Sequence, residues 1–306
     1  MVLDRTDAGV WELRELTDDE AAWHNRGATA KLVEYMNRLD PAFSRARERS
    51  PFQFILSLLR VRSLQDAGWD PYETTQHGIP LLLEAQNLLT KDHSAAARHL
   101  ALWIYGHILE ASEPYELLAN LIDVSTGGRF RAQRFPPHRK GRPQSPGEKI
   151  SVLDRMADEA GMPQVTIPLR DAWDRELRNA IFHADYAFSG SDVRLASPTR
   201  SVSQEELSNR FDSAVGYHHA LAGLFEFHVR SFEQPCVIPA DGFSPGPENA
   251  RVVVREGYGV VGLKHAWTRE QLAGGRIPWL VGRFRPGEAE QLHADPDLAL
   301  LPGRQA

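Results

Sequence analysis

The chain has 306 residues, of which 42% are hydrophobic and 25% are charged. These values are typical of a globular protein and argue against a disordered, collagen-like or coiled-coil chain. Lys plus Arg total 35 and Asp plus Glu total 41, so the net charge of -6 argues against a wholly cationic nucleic-acid binder but leaves room for a local basic patch.

The compartment is predicted from what the sequence lacks. The single cysteine, Cys236, has no partner for an internal disulfide, and no cysteine cluster is available for a structural zinc. The first 20 residues lack the continuous apolar core of a signal peptide. The longest apolar stretch, around Leu100–Ile108, is far short of the roughly 20 residues that a membrane-spanning helix needs. We therefore expect a cytoplasmic protein without membrane partners.

Helix-start signals recur through the first 234 residues. Four segments place Ser or Thr three residues before Glu or Gln, which is the capping-box spacing: Thr17–Glu20, Ser50–Gln53, Ser145–Glu148 and Ser203–Glu206. Apolar residues follow at helical spacing. Further helices are predicted at about 79–90, 93–111, 114–124, 146–160, 165–182 and 204–231. The sequence therefore predicts an almost entirely helical chain up to residue 234.

The pattern changes beyond that point. Pro and Gly become dense, which is typical of a linker. Two strands are predicted at Arg251–Arg255 and Val260–Lys264, joined by a hairpin turn. Three further features are expected: a short helix beginning near Thr268, a third strand at Ile277–Phe284 and a loosely held tail over residues 293–306.

One connection between predicted helices is strongly basic. The segment Gly127–Ser145 contains no acidic residue, and Phe130 and Phe135 are interleaved with its charges. Its basic residues are Arg129, Arg131, Arg134, Arg139, Lys140 and Arg142. Basic groups release counterions from phosphates and exposed aromatic rings stack on bases, so this loop is a candidate RNA-binding segment. The alternative is a solvated connection whose charges serve only solubility.

The segment most informative about chemistry is Asp171–Phe188. Leu177 and Ile181 would face the core of an amphipathic helix, with Arg178, Asn179 and His183 towards the edge of that apolar stripe. Five positions along an ideal helix correspond to a rotation of about 140° and a rise of roughly 7.5 Å. The polar ends of Arg178 and His183 would converge only because Arg is long, or because a second subunit supplies half of the site.

The run Arg178-Asn179-Ala-Ile-Phe-His183 resembles the hallmark of the HEPN superfamily, which is Arg, a polar residue (often Asn), three further residues and His. The resemblance extends to a four-helix frame at 93–111, 114–124, 146–182 (broken near Gly161) and 204–231, about half of the chain. It implies a mainly α fold: a HEPN-like helical bundle with additional N-terminal helices and a small C-terminal α+β appendix. The corresponding regions are 1–75, 76–234 and 235–306.

The resemblance also implies an activity. HEPN domains commonly dimerise through the motif helices, and many are metal-independent endoribonucleases of toxin–antitoxin, CRISPR-associated and phage-defence systems. His183 would then act as general base or acid on the 2'-hydroxyl or the leaving 5'-oxygen. Arg178 would stabilise charge on the phosphorane, and Asn179 would orient the phosphate or the histidine. We expect an RNA substrate, a homodimer and no cofactor or metal. An antitoxin or defence protein is a further candidate partner.

The sequence departs from one branch of the family. In the branch that is paired with a nucleotidyltransferase antitoxin, a Tyr stands two residues after the His and is the modification target. Here that position is Asp185, and the tyrosine is Tyr186, so control of that kind is not implied. Asp185 and Tyr186 are instead candidate supporting residues, with Asp185 placed to hold the imidazole of His183. Glu110 and Glu113 are further candidates for a supporting carboxylate.

Two alternatives stand beside the nuclease. The first is a non-catalytic HEPN-like module that dimerises or binds nucleotide, RNA or protein. The second is an accidental match in a monomeric helical protein, which predicts an ion pair of Arg178 with Asp174 or Glu176 of its own helix. An enzyme needs Arg178 and His183 exposed in a shared cleft.

Other motifs give weaker signals. The twelve histidines include His218, His219 and His228, but their spacing favours packed and surface residues over metal ligands. No GxxxxGK[ST] motif supports nucleotide hydrolysis. The tryptophans, Trp103 among them, are interpreted as core anchors and not as stacking surfaces for bases.

Overall fold

The computed structural model describes residues 2–15, 26–60, 78–85, 95–138, 141–240, 249–266 and 279–303, and these are largely helical. The helices are α1 (Arg26–Arg49), α2 (Pro51–Leu59), α3 (Ala95–Glu110), α4 (Ser112–Ser125), α5 (Pro146–Glu159), α6 (Ile167–Ala172), α7 (Arg175–His183), α8 (Gln204–Arg230) and α9 (Glu288–Ala294), together with helical residues 78–85. Within the described ranges, no helix is both long and apolar enough to cross a membrane.

The strands are short and fall into three small sheets. They are β1 (Val2–Arg5), β2 (Trp11–Glu15), β3 (Tyr186–Ser189), β4 (Asp192–Leu195), β5 (Arg200–Val202), β6 (Val237–Pro239), β7 (Asn249–Arg255), β8 (Gly259–His265), β9 (Leu280–Gly282) and β10 (Leu300–Leu301). β1 pairs with β2, and β3, β4 and β5 form an antiparallel sheet in that order. The third sheet has the order β10-β7-β8-β9, and β6 also pairs with β7.

Contacts group the chain into two compact units. Unit 1 consists of Met1–Pro41, Asp70–Tyr115 and Phe135–Gly223, and unit 2 of Ala42–Trp69, Glu116–Arg134 and Leu224–Ala306. Each unit therefore combines segments that are far apart in the sequence. Unit 2 draws on all three of the predicted regions, 1–75, 76–234 and 235–306.

Three of the predicted helix starts are confirmed. The side chains of Ser50, Ser145 and Ser203 each accept a hydrogen bond from the backbone N–H three residues later. Each bond satisfies one of the N–H groups that the first turn of a helix leaves without a partner. The fourth predicted start, Thr17–Glu20, lies outside the described residues.

Unit 1 has a buried core in which α3 packs near α7. Tyr105 of α3 is fully buried, and its hydroxyl donates to the carbonyl of Ala172 at 2.8 Å. The same hydroxyl accepts from the backbone N–H of Asp174 at 3.1 Å. Leu102 and Leu177 are also fully buried. A single tyrosine thus ties α3 to the segment that leads into α7.

The predicted helix at 165–182 is wrong as a single element. A 3-10 turn at Pro163–Thr166 runs into α6, which ends at Ala172, and α7 begins after Asp174. The side chain of Asp174 accepts from the N–H of Leu177 at 2.9 Å and so caps a new helix. As a result, Arg178 and His183 lie on a nine-residue helix of their own.

Two sheets were missed in the part of the chain predicted as helical. β1 and β2 lie in the predicted N-terminal helical region, and β3, β4 and β5 follow α7 directly. Val193, Leu195 and Val202 of the second sheet are buried, so this sheet forms part of the core of unit 1. Its strands have only three or four residues each.

The C-terminal sheet lies in unit 2. The predicted hairpin and third strand correspond to β7, β8 and β9, which confirms those predictions, although β9 is shorter than expected. The predicted loose tail is wrong for residues 293–303, because α9 ends at Ala294 and the parallel strand β10 follows it. Leu292 and Leu301 pack with Val253 and Val261 in one hydrophobic cluster. The predicted helix near Thr268 lies outside the described residues.

Candidate functional site

Helix α7 presents the motif on a short, capped frame. Leu177, Ala180 and Ile181 form its buried face. The helix ends at His183, and Ala184 adopts a left-handed conformation with φ 57° while its N–H bonds back to the last turn. The core thus fixes one face of the helix and leaves its C-terminal residues towards solvent.

Arg178 is held by groups from two helices. Its Nε and Nη2 contact Oε1 of Glu110, the last residue of α3. Its Nη1 donates to Oδ1 of Asn179 at 2.8 Å, and the guanidinium carbon lies 5.2 Å from the ring centre of Phe182. A guanidinium has five N–H bonds, so both terminal nitrogens keep donor capacity for a ligand. The side chains of Arg178 and Glu110 are 21% and 34% exposed, which leaves the pair accessible.

The ion pair expected from an accidental match is not formed. The carboxylates of Asp174 and Glu176 both contact Nη1 of Arg200, at 2.9 and 3.1 Å. Arg178 is paired across helices with Glu110 instead. Glu110 therefore contacts the arginine of the motif.

His183 is exposed at the end of α7. No hydrogen bond joins Asp185 or Tyr186 to His183 in the described part of the chain. The backbone of Asp185 bonds to Ala180 and Ala196, and the hydroxyl of Tyr186 lies 2.9 Å from Nδ1 of His99. Of the residues named with the motif, the structure thus brings Arg178 and Asn179 into contact and leaves His183 open to solvent.

Exposed aromatic side chains surround the motif on α3 and α7. His99, Trp103 and His107 recur every four residues on α3, and all three are exposed. Trp103 is 46% exposed, so its interpretation as a core anchor is wrong. Phe182, which is 37% exposed, lies with its ring centre 6.2 Å from those of both Trp103 and His107. We call Trp103, His107 and Phe182 the aromatic face.

The sequence contained a signal for this face. Residues four apart lie on the same side of a helix, so the spacing of His99, Trp103 and His107 predicts one aromatic stripe. Gly106 has no side chain, which lets α3 approach α7, since a Cβ built there would lie 2.9 Å from the ring of Phe182. The partner residue Phe182 comes from a distant part of the chain and has no such local signal.

The basic segment divides into different kinds of residue. In unit 2, Arg129 and Arg131 are exposed, whereas the side chain of Arg134 is only 8% exposed. Arg134 bonds to Asp123 at 2.5 Å, to Oδ1 of Asn120 at 2.8 Å and to the carbonyl of Arg129. The side chain of Arg134 therefore stabilises the conformation of the loop.

The rest of the segment belongs to unit 1. Phe135 is 6% exposed, so its ring is not available to stack on a base. Arg142 is exposed and pairs with Glu148 at 2.8 Å. Arg139 and Lys140 lie outside the described residues.

The paired histidines of α8 are packed in unit 1. His218 is 7% exposed, and burial lowers its pKa to about 3, so the ring is neutral near pH 7. The neighbouring His219 lowers it further. No group of three or more His, Cys, Asp or Glu in the described ranges is arranged to hold a metal ion.

A polar cleft of about 770 Å³ also opens in unit 1, and sequence reasoning did not anticipate it. Cationic and acidic residues line it together: Lys31, Arg170, Asp171, Ser203, Glu205, Glu206, Asn209, Arg210, Asp212 and Ser213. Many of them bind one another, as when Arg210 donates to the carbonyl of Asp171 at 2.6 Å. Burial raises the pKa of Asp212. The cleft has no excess of one charge that would select a ligand class.

Two glycine patterns match spacings known from unrelated chemistries. Gly257–Gly262 reads GxGxxG, but it forms the turn before β8 and the start of that strand, with no helix following as a dinucleotide-binding turn requires. Gly242–Gly246 reads GxSxG and lies outside the described residues.

Comparison of the chain with protein-family models, curated proteins and solved structures gave no match. The HEPN resemblance therefore depends on the residues of the motif and on the helices that surround it.

Proposed function

We propose that the chain is a metal-independent endoribonuclease of the HEPN type, active as a homodimer and employed in toxin or antiphage defence. The proposal rests on the accessibility and the orientation of the motif side chains on α7. Arg178 is accessible and already oriented by Glu110 and Asn179, and His183 is exposed five residues further on. An oriented charged donor and an accessible imidazole are two of the groups that a site for phosphoryl chemistry needs.

The chemistry needs only the RNA and these side chains. The 2'-oxygen attacks the adjacent phosphorus, the bond to the 5'-oxygen breaks, and a 2',3'-cyclic phosphate and a 5'-hydroxyl result. His183 would accept the proton of the 2'-hydroxyl or donate one to the leaving oxygen. Arg178 would stabilise the charge that develops on the phosphorane oxygens, using the N–H bonds that face away from Glu110.

A homodimer would complete this site. One imidazole cannot act as base and acid in the same step unless the proton is relayed, whereas two copies of His183 supply one of each. Arg178 and His183 of one chain also project about 140° apart on an ideal helix. A second α7 would bring a histidine to the arginine of its partner.

Exposed basic residues of unit 2 are further candidates for RNA contact. Arg129 and Arg131 are free of the packing that engages Arg134, so they are the better candidates for phosphate contacts in the basic segment. The setting in a cytoplasmic defence system, with an antitoxin or other protein partner, belongs to the same proposal.

The runner-up is a non-catalytic HEPN-like module that binds RNA, nucleotide or protein. The ion pair of Arg178 with Glu110 favours it, because a carboxylate in contact offsets the charge that a phosphorane needs. The two functions differ in what the loss of His183 would do. A binding module would keep its affinity, whereas a nuclease would lose cleavage.

The test is incubation of purified protein with mixed RNA in EDTA. Cleavage by the wild type should disappear in Arg178→Ala and in His183→Ala while both remain folded dimers. Arg175→Ala on the same helix and His293→Ala on α9 remove an exposed residue of the same type and should leave cleavage unchanged. Equal cleavage by all five proteins would refute the assignment, and no cleavage by the wild type would favour the binding module.

A further inference from the structure

We propose that the aromatic face is a stacking surface for unpaired nucleobases, so that the site takes single-stranded RNA in preference to base-paired RNA. The inference rests on the proposed function and deepens it by naming the substrate class. It concerns Trp103 and His107 of α3 and Phe182 of α7, which is the residue directly before His183.

Two rings of the aromatic face are exposed to solvent. Trp103 and Phe182 are among the large hydrophobic side chains that the described chain leaves exposed, at 46% and 37%. Two such rings in mutual contact, from helices far apart in sequence, form a patch and not a scattered pair. Apolar patches of this kind mark binding surfaces.

The rings of the aromatic face are inclined to one another. Trp103 and Phe182 are inclined at 69°, Trp103 and His107 at 43°, and His107 and Phe182 at 34°. None of these pairs is a parallel stack. A nucleobase stacks parallel to a ring, so the face keeps a type of contact that its own members do not make with one another.

Guanidinium groups lie beside aromatic rings of this region. The guanidinium of Arg178 lies 5.2 Å from the ring centre of Phe182, and that of Arg98 lies 4.5 Å from the ring centre of Phe188 on β3. The carboxylate of Glu110 is already in contact with Arg178. Cationic groups bordering aromatic rings suit a ligand whose bases alternate with phosphates.

The same charge argues for RNA over a second copy of the chain. Arg178 keeps N–H donors on both terminal nitrogens beside the ring of Phe182, which suits a ligand that carries a phosphate next to each base. We therefore assign the face to RNA and treat self-association as an outcome of the test.

The experiment measures binding without cleavage. The probe is a fluorescein-labelled 12-mer of 2'-O-methyl uridine, which has no 2'-hydroxyl to attack, read by fluorescence anisotropy. A matched oligomer with abasic positions and a duplex of the same length serve as comparisons. Trp103→Ala should bind the 12-mer about 5- to 150-fold more weakly, the fold-change equivalent of the ~1–3 kcal/mol that one base stack contributes. Trp103→Phe, which keeps a ring, should recover most of the affinity.

The control is Tyr258→Ala, which removes a ring of equal exposure, 46%, from the β7–β8 turn and should bind as the wild type does. Wild type should bind the abasic oligomer and the duplex more weakly than the 12-mer. Light scattering on each variant reports the oligomeric state, and far-UV circular dichroism reports folding.

Three results would overturn the inference. They are unchanged binding by Trp103→Ala, equal binding of the 12-mer and its abasic counterpart by the wild type, and conversion of a dimer into a monomer by Trp103→Ala. The outcome is separate from that of the proposed function, because His183→Ala should lose cleavage and still bind the 12-mer. A stacking surface in a protein that cleaves no RNA would refute the nuclease alone.

Discussion

Replacing Arg134 by Met tests whether this residue folds the basic segment or contacts RNA. The substitution keeps most of the length of the side chain and removes its donors to Asp123, Asn120 and the carbonyl of Arg129. A hydrogen bond to a charged group contributes about 1.5–3 kcal/mol and one to a neutral group about 0.5–1.5 kcal/mol. Asp123 is 30% exposed, which weakens its share. We expect the free energy of unfolding to fall by about 2–4 kcal/mol.

The assay is thermal unfolding followed by near-UV circular dichroism, with Arg131→Met as the matched variant. A loss of that size corresponds to a decrease in Tm of roughly 3–6 °C for a chain of this length. The side chain of Arg131 is exposed, so Arg131→Met should change Tm by no more than about 2 °C and should weaken RNA binding instead. Equal Tm values for the two variants, with equal losses of RNA affinity, would refute the structural role of Arg134.

Three further predictions concern the site, the pH dependence and unit 2. Glu110→Gln removes the carboxylate in contact with Arg178, the proposed catalytic arginine. kcat for RNA cleavage should then fall by about tenfold or more while Kd for uncleavable RNA stays within about twofold, and a rise in kcat would contradict the orienting role. Burial lowers the pKa of His218 to about 3, so below pH 6.5 the unfolded chain binds a proton that the folded chain excludes. The free energy of unfolding should therefore decrease as the pH is lowered from about 6.5 to 3, by about 2 kcal/mol at pH 5. Urea unfolding of His218→Gln should not show this decrease. Gly259→Ala should lower the free energy of unfolding by about 3 kcal/mol or more, because φ is 103° and a Cβ would lie 2.1 Å from the carbonyl oxygen of Val229. In Gly257→Ala the Cβ meets nothing within 4 Å, so the loss should be about 1 kcal/mol. Similar decreases in Tm for the two variants would contradict this reasoning.

The helices were predictable because their signals are local. A cap and the apolar stripe that follows it lie within a dozen residues, so Ser50, Ser145 and Ser203 identified three helix starts without knowledge of the fold. The break before α7 was equally local, since Asp174 has the residue type of an N-cap. It was missed because the apolar spacing continues across it.

The missed strands depend on contacts that the local pattern does not contain. β3, β4 and β5 have three or four residues each, too few for an alternating pattern to stand out from a helical one. β10 has two residues and pairs with β7, which lies far earlier in the chain. Its Leu301 is fully buried in a cluster with Val253, Val261 and Leu292, none of which is a local neighbour.

The candidate site was predictable in part for the same reason. The spacing of Arg178, Asn179 and His183 is a sequence property, and the structure places all three on one helix. The contact of Arg178 with Glu110 joins residues 68 positions apart, so no local pattern assigns that carboxylate to the arginine. The exposure of Trp103 follows from the packing of α3, which sequence spacing only partly indicates.

The most direct test of the nuclease is the chemistry of the RNA ends it produces. A defined single-stranded RNA would be incubated with the protein in EDTA, and the product ends would be identified by mass spectrometry. The proposed mechanism predicts a 2',3'-cyclic phosphate on one fragment and a 5'-hydroxyl on the other, both absent with His183→Ala. Fragments that end in a 3'-hydroxyl and a 5'-phosphate, or the same fragments from His183→Ala, would contradict it.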